Sequence, residues 1–62
     1  MFRVVLTDTQ GMRYPSQPFN DEAGARQLYD RPLSGRFVRA ELWTGEIERG
    51  EWVDGGELAS KP

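Results

Sequence analysis

Few residues in this chain are equipped for covalent chemistry. It contains no histidine and no cysteine, which removes the commonest general base and the thiolate and imidazole ligands of most metal sites. Any reaction would rest on carboxylates, arginines or hydroxyls. Glu46, Glu48 and Glu51 cluster along the sequence, but Glu46 and Glu48 adjoin a Thr-Gly-Glu turn, where solvated carboxylates are ordinary. No carboxylate pair sits in an apolar run that would raise a pKa, as a general acid requires. Asp54 and Glu57 enclose glycines without the alternating oxygen ligands of a calcium loop. Thr7, Thr9 and Ser16 have no base partner. The expectation is a protein that is not an enzyme, with no catalytic residue, cofactor, metal or small-molecule substrate.

Non-covalent chemistry is better provided for. Arg36 to Asp54 reads RFVRAELWTGEIERGEWVD, two strand-forming runs about Thr44-Gly45-Glu46, which predicts a β-hairpin. Placing Trp43 opposite Ile47 sets Glu41 across from Arg49, Arg39 across from Glu51 and Phe37 across from Val53, two charge pairs bracketed by apolar pairs. Trp52 then falls opposite Val38 on the other face, and Gly50 is a place where a bulge would reset the register.

The elements that must hold this hairpin are short. Phe2–Thr7 alternates as a strand, Asp8-Thr9-Gln10-Gly11 as a turn, and Met12–Tyr14 as a returning strand with Asp8 facing Met12 and Tyr14 facing Leu6. Pro15 and Pro18 end it and suggest a sheet edge. Asn20–Arg31 is the one predicted helix: Asn20 as N-cap, Asp21 and Glu22 at the positive end of the dipole, Glu22 and Arg26 spaced i,i+4, and Arg31-Pro32 as the stop. Gly24 costs helix propensity by roughly 1 kcal/mol against Ala, which points to close approach of helix and sheet.

The resulting α+β fold is ββαββ: a four-stranded antiparallel sheet of order 2-1-3-4 with one helix on one face. Residues 1–54 form the domain, and 55–62 (GGELASKP) a flexible tail. The expected core is Phe2, Val4, Leu6, Met12, Tyr14, Leu28, Tyr29, Val38, Ala40, Leu42 and Trp52. The uncovered face would show Arg3, Val5, Arg13, Phe37, Arg39, Glu41, Trp43, Ile47, Arg49 and Val53. Two accounts of its aromatic residues stay open. Either Trp43 wraps a sheet edge or covers the helix end and Phe37 packs under the Pro15–Phe19 loop, or the two anchor a partner.

Composition limits the partners. Sixty-two residues make one domain that buries about 60% of its unfolded surface. The longest apolar run, Val4-Val5-Leu6, is far short of a membrane span, and no signal peptide is recognisable; the expectation is a soluble cytoplasmic domain. Eight basic against ten acidic residues give −2, which disfavours nucleic acid.

The arginine-rich, lysine-poor style, with DEAGARQLYDR as helix and VRAELWTGEI in the hairpin, resembles the small orphan proteins of actinobacteria and their phages. That resemblance implies a phage-like accessory protein that binds and modulates a cellular protein. The leading expectation is thus a protein-interaction module, using Phe37, Arg39, Trp43, Ile47, Arg49 and Val53 towards a protein partner or a second copy as homodimer. The alternative is single-stranded nucleic-acid binding, with Arg3, Arg13, Arg39 and Arg49 interleaved with Phe37 and Trp43.

Overall fold

The computed structural model describes residues 1–62. The chain runs β1 (Phe2–Asp8), β2 (Arg13–Pro15), α1 (Glu22–Tyr29), β3 (Phe37–Glu48) and β4 (Glu51–Lys61). The four strands form one antiparallel sheet in the order β2-β1-β3-β4, the topology expected from the sequence. No helix is long and apolar enough to cross a membrane.

The first hairpin follows its turn chemistry. Asp8 Oδ1 accepts from the backbone N–H groups of Gln10 and Met12, and Gly11 takes a positive φ of 83°, which glycine adopts without a Cβ clash. Leu6 then lies opposite Tyr14, as predicted. Pro15 is the last residue of the strand rather than the first beyond it, and Ser16 N still donates to Val4 O at 2.7 Å.

The helix is shorter than expected. Its N-cap is Asp21, whose carboxylate accepts from Gly24 N at 2.9 Å, not Asn20. The predicted Glu22–Arg26 pair forms at 2.6 Å. Gly24 does face a close neighbour, but it is the ring of Phe19 in the preceding loop, 3.1 Å from where a Cβ would sit, rather than the sheet. Phe19 is itself pinned to β1 by reciprocal backbone bonds with Phe2.

The core gathers under α1. Val4, Ala25, Tyr29, Ala40 and Leu42 are buried, with Phe2, Leu6, Phe19, Leu28, Leu33 and Ala59 packed against them. Four expected core residues are not there, Trp52 among them, which lies on the opposite face. Met12 and Val38 are exposed, and Tyr14 lies at the margin of the helix-side face, partly exposed and edge-on to Phe37 at 5.7 Å.

The largest departure is the second hairpin. The chain does not turn at Thr44-Gly45-Glu46 but continues as β3 to Glu48, and turns at Arg49 (φ 53°) and Gly50 (φ 79°). With Glu48 opposite Glu51, this is a two-residue loop with both φ values positive, the mirror-image turn that matches strand twist. The expected Trp43–Ile47, Glu41–Arg49, Arg39–Glu51 and Phe37–Val53 pairings are therefore absent; Ile47 faces Trp52 and Trp43 faces Glu57. Residues 55–61, expected as a flexible tail, are strand: Leu42 pairs with Ala59 and Ala40 with Lys61. Extra residues at Gly55 and Leu58 shift the β3–β4 register twice, each reversing the side-chain alternation.

Candidate functional site: the open face of the sheet

The sheet face opposite α1 can be assembled from the register. Arg3 lies beside Trp43, Val5 beside Glu41 and Thr7 beside Arg39. Arg13 and Pro15 continue these rows on β2. Directly opposed residues in antiparallel strands project to the same side, so these side chains share one surface with Ile47 and Trp52.

Glu41 is its centre. Its carboxylate accepts from Arg13 Nη2 at 2.6 Å, and from Arg39 Nε and Trp43 Nε1, each at 3.4 Å. Burial of the carboxyl works against its charged form, but the bonds from Arg13, Trp43 and Arg39 and the Arg13 charge outweigh that and lower its pKa. Arg39 also reaches Glu57 at 3.7 Å. Beneath this network Val5 is 2% exposed, although no helix covers it.

A second group adjoins the first. The Arg3 guanidinium lies 4.6 Å from the centre of the Trp52 ring and 3.5 Å from Asp54. Trp52 Nε1 in turn donates to Asp54 Oδ1. Arg3 Nε is buried without a hydrogen-bond partner, so contact with the indole face supplies part of what hydration would have given that cation. Trp52, assigned by sequence to the core, belongs to this face because the displaced hairpin turn reverses its side.

Of the six residues expected to make the site, Arg39, Trp43 and Ile47 are brought together here. Phe37 and Val53 are not. Phe37 pairs with Asp8 across a bulge between Thr7 and Asp8, which turns its ring to the helix side. It lines a mostly apolar cleft of about 180 Å³ there with Leu6, Leu28, Tyr29, Leu33 and Ala40, and does not pack under the Pro15–Phe19 loop. Val53 opposes Glu46 on the other side of the ribbon from Ile47 and Trp52. Arg49 sits in the turn. The residues that sequence reasoning missed are Trp52, Asp54 and Glu57. The signal for Trp52 was the Arg49-Gly50 dipeptide, had it been taken as a two-residue turn.

No group of three His, Cys, Asp or Glu residues is placed to hold a metal ion. What the surface offers is two half-buried indoles, the 42% exposed Ile47 and arginines held in fixed orientations by carboxylates. Compared with protein-family models, with curated proteins and with solved structures, the chain has no match.

Proposed function

We propose that this protein is a non-enzymatic interaction module that binds a partner protein through the open sheet face. Trp43, Trp52 and Ile47 serve as apolar anchors, with Arg39 as a polar contact. The observation that carries this proposal is the arrangement of Trp43, Trp52 and Ile47 on a sheet face that no helix covers, framed by oriented arginines. Tryptophan and arginine are the residue types that dominate binding energy at protein interfaces, and rigid rings lose little conformational entropy on docking. An accessory protein that modulates a cellular target would need such a surface and no catalytic group. A second copy is the simplest alternative occupant of the same face.

Single-stranded nucleic acid fits this surface less well. Arg13 and Arg39 both engage Glu41, Arg39 engages Glu57 as well, and Arg3 engages Asp54, so phosphates would have to displace carboxylates from every cation on the face. The test of the leading proposal is capture from a native-host extract on immobilised wild type and on Trp43→Ala. A protein retained by wild type and released by the variant, with the variant's unfolding midpoint close to wild type, supports it. A protein retained equally by both counts against it.

A further inference from the structure

The outer edge of β4 offers an interaction surface independent of the open face. β4 ends the sheet, and eleven residues, Glu51–Lys61, have no strand on their far side. The opposite edge is guarded, since β2 has three residues and closes with Pro15. β4 contains no proline, and an unguarded row of backbone N–H and C=O groups is a template for another strand.

Charge and side-chain alternation select the occupant. Glu51 stands directly opposite Glu48 at the hairpin end, a destabilising like-charge pair, and neither takes part in any of the chain's ion pairs. Lys61, at the other end of the same strand, is also outside those ion pairs and donates to the Arg31 carbonyl at 3.1 Å. The anion at one end of β4 thus complements the cation at the other. The register with β3 places Val53, Ala59 and Lys61 on the helix side, and Trp52 and Ser60 on the open side.

We propose that two copies of this chain pair through β4, antiparallel about a two-fold axis at Gly56. Glu51 then meets the partner's Lys61, Trp52 meets the partner's Ser60 and Val53 meets the partner's Ala59. In every pair both side chains lie on the same side of the sheet, which a shift by one residue would abolish. The regular segments at the ends of β4 do the pairing, and the bulged middle at Gly55 and Leu58 faces itself across the axis. The product is one continuous sheet of eight strands, four from each copy, with both helices on one side and both open faces on the other.

The test is sedimentation equilibrium on wild type, Glu51→Lys, Lys61→Glu and the double exchange. Wild type should associate to a dimer as concentration rises. Each single change places like charges together twice across the two-fold axis and should weaken association about tenfold or more, while the double exchange should bring it back towards wild type. Glu51→Lys sets a lysine opposite Glu48 and removes a like-charge pair, so its loss of association cannot be ascribed to a weakened hairpin; a urea midpoint no lower than that of wild type, read at a concentration where both are monomeric, confirms this. The proposal is overturned if wild type stays monomeric up to about 1 mM, the limit of very weak association. It is equally overturned if the single exchanges associate as wild type does, or if the double exchange stays as weak as the singles. Association lost in Trp43→Ala but kept in the charge variants would assign the dimer to the open face instead.

Discussion

The indole of Trp52 lies against Gly45 where no side chain fits: a Cβ on Gly45 would come within 2.7 Å of the ring carbon Cε2 and 2.5 Å of the Val53 carbonyl oxygen. Gly45 is therefore a packing position, not the turn glycine its sequence context suggests. It is also fixed from the other strand, since its N–H and C=O bond to the carbonyl and amino group of Met1 at 2.9 and 2.8 Å.

Gly45→Ala should consequently destabilise the fold by about 1–3 kcal/mol, the usual range for overpacking. It should also push Trp52 off the open face. Urea unfolding measures the first effect and a red-shifted tryptophan emission the second. An unchanged midpoint and spectrum would mean that the glycine sits in open space, as a turn residue would.

Arg49 is the only non-glycine residue with a positive φ, a conformation that costs a residue carrying a Cβ on the order of 1 kcal/mol and that asparagine tolerates better. Arg49→Asn should raise the stability by roughly 0.5–1 kcal/mol. A stabilising Thr44→Asn with no gain at Arg49 would instead favour a turn at 44–46.

Asp8 is buried, and burial alone would raise its pKa. The Met12 N–H, the Tyr14 hydroxyl, the Gln10 N–H and the charge of Arg36 together reverse that and lower it below the ordinary 3.8. Asp8 therefore binds protons more weakly folded than unfolded. Its contribution to stability is present above the unfolded value and lost as pH falls through the lower folded one. Wild type should lose stability below about pH 4, and Asp8→Asn should show a flatter acid limb. Tyr14 has the opposite sense. Its bond to Asp8, followed by burial, raises the phenol pKa above 10.0, so its contribution is present below that value and lost as pH climbs through the folded pKa. Tyr14→Phe should flatten the alkaline limb. Urea midpoints across pH check both, and parallel profiles for wild type and variants would refute the assignment.

Glu41 is what keeps Arg13 from acting as a free cation and, together with Glu57, holds Arg39. Glu41→Gln should release Arg13, loosen Arg39 and create oligonucleotide binding that fades with salt, where wild type shows little. Tryptophan quenching by a single-stranded oligonucleotide at low salt reads this directly. Tight binding by wild type itself would favour the nucleic-acid alternative.

The contrast between the two hairpins explains what could be read from the sequence. Asp8 and Gly11 occupy their preferred turn positions, so the β1–β2 register with Leu6 opposite Tyr14 was legible. The helix was legible through Glu22 and Arg26, its cap misplaced by one residue because Asn20 and Asp21 are both good caps. In the second hairpin, Thr44-Gly45-Glu46 looked like the turn and Arg49-Gly50 did not, because arginine is not a residue that favours positive φ. The choice of turn set Trp52 and Val53 on the wrong sides. The bulge at Thr7/Asp8 did the same for Phe37, and no local sequence signal marks it. Gly55 and Gly56 read as a frayed tail, yet Gly55 is drawn against the Thr44 carbonyl, 3.2 Å from where its Cβ would be. That contact arises only once β3 extends past Gly45.

The most direct measurement on the proposed function is site-resolved photo-crosslinking in the native host, with a benzophenone amino acid placed singly at Trp43, Ile47, Phe37 or Val53. The account predicts a discrete adduct with a protein other than a second copy of the chain from positions 43 and 47, on the open face, and none from Phe37, while Val53 at the β4 edge crosslinks only a second copy. Adducts with another protein from Phe37 or Val53 and none from Trp43 and Ile47 would contradict it, and would move recognition to the helix side of the sheet.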